Sequence, residues 1–168
     1  MRENNMTTAI ITGSFDPITA GHTDLILRAA KMFERVYVVI VFNTEKAGGA
    51  FSPEDRLTLA KLAIENMPVN NVEAVLHSGL TSDIAHELGA KVIVRGARNA
   101  SDFDYEYNLS LIMKRFDPEL ETVILPASPA ISMISSTYVR DLLKYGCELG
   151  NAVPDGCKEA MIQLYKRG

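Results

Sequence analysis

Five short apolar runs, each followed by a segment with helical hydrophobic spacing, set the rhythm of this chain. The runs are Ala9–Thr12, Val36–Val41, Val72–Leu76, Lys91–Val94 and Thr122–Leu125. Their near-continuous Val and Ile content predicts strands buried on both faces. Their alternation with helical segments predicts βαβ units and a mostly parallel sheet. In the first intervening segment Leu25, Ile26, Ala29, Ala30 and Phe33 share one helix face. The second opens at Ser52-Pro53-Glu54-Asp55, with an N-cap serine, proline at the first helical position and an acid three residues after the cap. Leu57, Ala60 and Ile64 mark its buried stripe. Further helices are predicted over Ser82–Leu88, stopping at Gly89, and over Asp102–Phe116 with Ser101 as cap. Another is capped by Ser135 or Ser136, and a last one covers Asp155–Lys166. The expected fold is α/β: one domain over residues 1–168, built on a doubly wound, mostly parallel five-stranded sheet of Rossmann-like kind. In such a sheet a ligand binds outside the strand carboxyl ends, at a topological switch point.

Composition narrows the classes. At 168 residues, 47% apolar and 23% charged, the chain reads as an ordinary globular protein with room for a substantial core. A net charge of −4 argues against a general nucleic-acid binder, so an anionic ligand must be met by a local cluster of cations. Arg2, Glu3, Asn4 and Asn5 precede the first strand without an apolar targeting region, and no run is long enough to span a bilayer. A soluble, cytoplasmic protein without membrane or nucleic-acid partners is expected. Cys147 and Cys157 form no CxxC pair and are read as reduced thiols. His77, His86 and both cysteines are read as surface or filler positions, and no protein-built metal site is expected.

The candidate chemistry lies at the ends of the strands. After the first strand come Gly13-Ser14-Phe15-Asp16-Pro17 and then Thr19-Ala20-Gly21-His22. A strand entering a glycine turn and a helix start forms a phosphate site, because backbone N–H groups point outward and the helix dipole favours an anion. The spacing is neither the P-loop nor the dinucleotide fingerprint. After the second strand comes Lys46 in a glycine-rich loop, Ala47-Gly48-Gly49-Ala50. After the fourth comes Arg95-Gly96-Ala97-Arg98, and after the fifth Ser132-Met133-Ile134-Ser135-Ser136-Thr137. Arg95 follows the buried run Val92-Ile93-Val94, so it needs an anionic partner or an exit to water. In a parallel sheet these strand ends converge on one rim.

The G-[ST]-F-D-P start and the T-x-G-H piece resemble the nucleotidyltransferase superfamily. Within it, Arg95-Gly96-Ala97-Arg98 followed by Asp102-Phe103-Asp104-Tyr105-Glu106 resembles the bacterial phosphopantetheine adenylyltransferases, a likeness that extends over essentially the whole chain. The resemblance implies adenylyl transfer from ATP to 4′-phosphopantetheine, with Mg2+ bound mainly through ATP. It implies that Ser14 and Phe15 lie at the triphosphate, with Ser14 also near the attacking phosphate. It implies that His22 stabilises charge on the α-phosphoryl group and that Lys46 and Arg95 hold the acceptor phosphate. ATP would be bound by Gly96, Ala97, Arg98 and Glu106, and by Ile131, Ser132, Met133, Ile134, Ser135, Ser136 and Thr137. Thr81 would touch the pantetheine arm. A homohexamer and feedback binding of coenzyme A are implied as well.

Ser14 stands where threonine is usual, which keeps the hydroxyl. Thr81 replaces a typically apolar residue, and Gly48-Gly49 lengthens the loop after Lys46. Ile134-Ser135-Ser136-Thr137-Tyr138-Val139-Arg140 makes an I-S-x-T-x-x-R pattern also found in pyridine-nucleotide adenylyltransferases. A sibling acting on nicotinamide mononucleotide is therefore the nearest alternative. A cytidylyltransferase and a non-catalytic nucleotide sensor are the others.

Overall fold

The computed structural model describes residues 7–43 and 48–167. Its centre is a parallel five-stranded sheet in the order β3-β2-β1-β4-β5. The strands are β1 (Thr8–Gly13), β2 (Arg35–Val41), β3 (Val72–His77), β4 (Val92–Ala97) and β5 (Glu121–Pro126). The helices are α1 (Ala20–Met32), α2 (Pro53–Glu65), α3 (Thr81–Glu87), α4 (Ala100–Phe116), α5 (Ser136–Lys144) and α6 (Lys158–Arg167), with a 3₁₀ turn at Pro129–Ile131. Strand order reverses between β1 and β4, the switch point where the carboxyl ends diverge.

Strand pleating divides the core in two. Ala9, Ile11, Val36, Val38, Ile40 and Val94 face the layer that holds Ile26, Leu59, Val139 and Met161. Ile10, Val39 and Ile93 face Ile84, Ala85 and Leu120 on the other side. Alternate residues of each central strand thus serve opposite layers. The edge strands are less covered than their sequence predicts: β3 has one fully buried residue, Ala74, and β5 has none.

Helix starts follow local chemistry. Ser52 Oγ accepts from the Asp55 N–H at 3.1 Å, with Pro53 at the first helical position. Ser135 caps α5, accepting from the Tyr138 N–H at 3.1 Å. Two expected boundaries move. Asn99 rather than Ser101 caps α4, its Oδ1 taking the Asp102 N–H at 2.9 Å, so the helix begins earlier. The last helix begins at Lys158, because Gly156 sits at φ 77°, outside helical conformation.

His77 and His86 pair with acids, Nε2 to exposed Glu87 at 2.6 Å and to the largely covered Asp117 at 3.0 Å. Cys147 is exposed, whereas burial pushes the Cys157 thiol up to about 11. Among the described residues, no helix is long and apolar enough to cross a membrane.

Candidate active site

Beyond the carboxyl end of β1 the chain makes a tight, strained turn. Phe15 sits at φ 45°, in the left-handed region, with its ring buried. That ring folds back so closely that a Cβ on Gly13 would lie 3.2 Å from it. It also supports His22, with ring centroids 4.8 Å apart.

His22 is the third residue of α1, and its side chain closes a capping box with Thr19. The His22 N–H reaches Thr19 Oγ1 at 3.4 Å, and the Thr19 N–H donates to His22 Nδ1 at 3.0 Å. A backbone N–H can only donate, so Nδ1 is the acceptor and the ring proton resides on Nε2. Burial, then the positive charges of Arg95 and Arg98, push the imidazole down to about 4. At neutral pH His22 is thus an uncharged ring with an Nε2–H donor in the cleft.

Asp16 ties three segments together. Its carboxylate accepts the N–H groups of Ala50 at 3.0 Å and Phe51 at 2.9 Å and lies 3.3 Å from Arg56 Nε. Its carbonyl accepts from Arg140 Nη1 at 2.6 Å. The neighbouring Pro17 carbonyl accepts the Ser136 hydroxyl at 2.8 Å. The turn after β1, the loop entering α2 and the start of α5 are therefore bound into one unit. A Cβ on Gly49 would lie 1.8 Å from Arg56 Nη2, so any side chain there would push the guanidinium out of its place. Lys46 lies outside the described residues.

Arg95, Gly96 and Ala97 lie within β4 rather than in the loop after it. Arg95 Nε and Nη2 meet both carboxylate oxygens of buried Glu106, at 2.6 and 2.8 Å, while Nη1 donates to the carbonyl and hydroxyl of Thr12. Arg98 pairs with Asp102, Nε to Oδ2 at 2.8 Å. Arg28 reaches Asp24 at 3.4 Å and the Pro126 carbonyl at 2.7 Å, and Ser128 donates to Asp24 at 2.9 Å. Each arginine of the cleft is thus held by a carboxylate in a fixed place.

Two cavities meet here. The larger, about 610 Å³, takes in Ser14, Phe15, His22, Arg95, Gly96, Arg98, Glu106, Ile131, Ile134, Ser135 and Ser136 from the sequence-based set. The smaller, about 360 Å³, takes in Thr81 and again Ser14, Arg95 and Glu106. The shared wall is Thr12, Gly13, Ser14, Arg95 and Glu106. Ala97 is buried beside the site, Met133 is 88% exposed, and Thr137 accepts from Arg140; neither these three nor Ser132 lines the two cavities.

Sequence reasoning missed Thr12, Asp24, Arg28, Ser101, Asp102 and Tyr105 on the larger cavity and Leu109, Ser110 and Met113 on the smaller. The last three were detectable: with Glu106 they form an i, i+3, i+4, i+7 stripe on α4. Among the described residues no cluster of three or more His, Cys, Asp or Glu side chains is placed to hold a metal ion.

The family described as cytidylyltransferase-like matches residues 10–142. A phosphopantetheine adenylyltransferase of Lactobacillus gasseri is 45% identical over 150 residues, covering 89% of each chain. Its namesake in Leptospira biflexa is 38% identical over 157 residues, covering 94% of this chain and 96% of that one. A solved structure from Vibrio parahaemolyticus, assigned as a nicotinate-nucleotide adenylyltransferase, superposes with a TM-score of 0.73 at 17% identity over 96% of both chains. At that identity it shows the shared fold.

Proposed function

This chain belongs to the phosphopantetheine adenylyltransferases of the cytidylyltransferase-like family, and we propose that its two cavities bring ATP and 4′-phosphopantetheine together for adenylyl transfer. The products are dephospho-coenzyme A and pyrophosphate, a step of coenzyme A biosynthesis. The observation that carries the site assignment is the shared wall. A two-substrate transfer needs donor and acceptor pockets that open onto one point, and Ser14 and Arg95 border both.

An oxygen of the phosphopantetheine phosphate attacks the α-phosphorus of ATP. A new P–O bond forms there as the bond to the β-phosphate bridging oxygen breaks. The attacking group is already an anion at neutral pH, so neither a strong base nor a covalent intermediate is needed. The protein aligns two polyanions and offsets the charge that grows between them. His22 donates its Nε2 proton as a hydrogen bond to an α-phosphoryl oxygen. The N-terminus of α5, with Ser135 and Ser136, receives the departing pyrophosphate. Gly96, Arg98, Ile131 and Ile134 flank the nucleotide. Arg95 faces the acceptor phosphate, a role the family resemblance gives to Lys46 as well, and Thr81 borders the pantetheine arm.

The acids of the cleft, Asp24, Asp102 and Glu106, are each engaged by Ser128, Arg98 or Arg95. A magnesium ion accompanying ATP would therefore be held by nucleotide oxygens, and it would add positive charge at the triphosphate.

The proposal extends to a cytoplasmic homohexamer and to feedback by coenzyme A, whose two halves match the two cavities. The exposed apolar residues of α4, Phe103, Tyr105, Tyr107, Leu111, Ile112 and Phe116, support self-association.

The test is pyrophosphate release from ATP with 4′-phosphopantetheine, nicotinamide mononucleotide or nicotinate mononucleotide as acceptor. Release only with phosphopantetheine is expected. Release only with a pyridine mononucleotide would overturn the reading.

A further inference from the structure

A carboxylate buried on the wall of a polyphosphate site is paradoxical on electrostatic grounds. Glu106 is 8% exposed and borders both cavities, so a nearby phosphate would be repelled by it. Both of its oxygens are engaged: Nε and Nη2 of Arg95 meet them in a two-point fork. The opposite side of the same guanidinium is fixed by Thr12, whose carbonyl and hydroxyl accept from Nη1, the hydroxyl at 3.1 Å. Five N–H groups belong to a guanidinium, and these contacts leave one hydrogen of Nη2 for a ligand.

We propose that Glu106 is a positioning residue for the reaction, acting on the acceptor phosphate through Arg95. The inference rests on the adenylyl-transfer reading above. Anchored by Glu106 and Thr12, Arg95 cannot swing to chelate the triphosphate. It offers one directed N–H and a fixed charge at the boundary of the two cavities. Glu106 also moderates that charge, so the acceptor phosphate is oriented without being trapped.

The experiment is a double-mutant cycle of Glu106→Gln and Arg95→Ala, with pyrophosphate release measured against each substrate in turn and folding checked by thermal unfolding. Glu106→Gln is expected to lower kcat/KM for phosphopantetheine by about tenfold to a hundredfold, as misplacement of a catalytic contact does. The KM for ATP should stay within about twofold, and in the Arg95→Ala background Glu106→Gln should change little. A tenfold rise in the ATP KM with acceptor kinetics intact, or losses that multiply in the double variant, would overturn the inference. If Glu106→Gln does not fold, Thr12→Val removes the opposing hydroxyl and leaves Arg95 Nη1 the Thr12 carbonyl alone. The inference then stands on a selective rise in the phosphopantetheine KM and falls if that KM is unchanged. If wild type releases no pyrophosphate with phosphopantetheine, the functional reading fails by itself. Calorimetric titration of 4′-phosphopantetheine and of ATP into wild type and Glu106→Gln then decides: phosphopantetheine binding weakened about tenfold with ATP binding unchanged supports the role of Glu106, and unchanged phosphopantetheine binding removes it.

Discussion

One nitrogen of the His22 ring is committed before any ligand arrives, because the Thr19 N–H donates to Nδ1 at 3.0 Å. T-x-G-H spacing thereby becomes intelligible: threonine is the N-cap, and histidine stands at the position where a capping box normally carries Glu or Gln. Capping and chemistry can be separated at this residue. His22→Ala should lower kcat by about 10²–10³, the usual loss for one transition-state donor, with the ATP KM nearly unchanged. His22→Gln keeps an oxygen able to reach the Thr19 N–H, so it should unfold near the wild-type temperature yet remain at least about tenfold slower. Turnover close to wild type in both variants would remove His22 from the mechanism. The ring also carries a pH signature. Its folded value of about 4 lies below the ordinary 6.5, so the unfolded chain binds a proton first. This linkage is silent above pH 6.5, and it costs stability as pH falls from 6.5 towards 4. Urea unfolding at pH 7 and pH 5 should show a steeper acid loss for wild type than for His22→Gln; parallel losses would contradict it.

At the scale of elements, Asp16 joins what the chain keeps apart: the turn after β1, the loop entering α2 and the first turn of α5. Both carboxylate oxygens accept from backbone N–H groups, and Arg56 is the buried counter-charge. Asp16→Asn turns an amide NH₂ toward one of those donors and leaves Arg56 without its partner. A loss of about 3 kcal/mol in urea unfolding is expected, in the range of a broken buried pair. Because the tied loop continues the segment that carries Lys46, the phosphopantetheine KM should rise more than the ATP KM. A rise confined to ATP would show that this loop does not serve the acceptor. The Asp16 contacts were not legible in the sequence, because Asp16 reads as a turn residue and its partners lie 34 to 124 positions away. What was legible is local or periodic: the strands by their apolar runs, α2 by Ser52-Pro53, and the rim of the cleft by parallel topology. The pairing of Arg95 with Glu106 was half legible. An arginine after a buried run demanded an anion, but the sequence could not say that the anion is the protein's own.

At the scale of the whole molecule, α4 is the element left unfinished. It is 17 residues long with Glu106 as its one buried member. Its inner stripe, Glu106, Leu109, Ser110 and Met113, walls the smaller cavity. On either side run apolar stripes that are about half exposed: Phe103, Tyr107 and Leu111 at i, i+4, i+8, and Tyr105, Ile112 and Phe116 at i, i+7, i+11. An exposed polar ridge of Asp104, Asn108 and Arg115 separates them. Two apolar surfaces divided by a polar crest suit two different neighbours, which an assembly larger than a simple dimer requires. Wild type is expected to sediment at micromolar concentration as the hexamer proposed from the family resemblance. Leu111→Asp places an uncompensated charge in one stripe without touching either cavity wall, so it should shift the protein towards smaller species. Since the opposite side of the same helix holds Glu106 against Arg95, dissociation should also lower specific activity on dilution. Analytical ultracentrifugation alongside pyrophosphate release, over a dilution series of both proteins, checks the two effects together. A wild type that sediments as a monomer at full activity would show that α4 needs no partner.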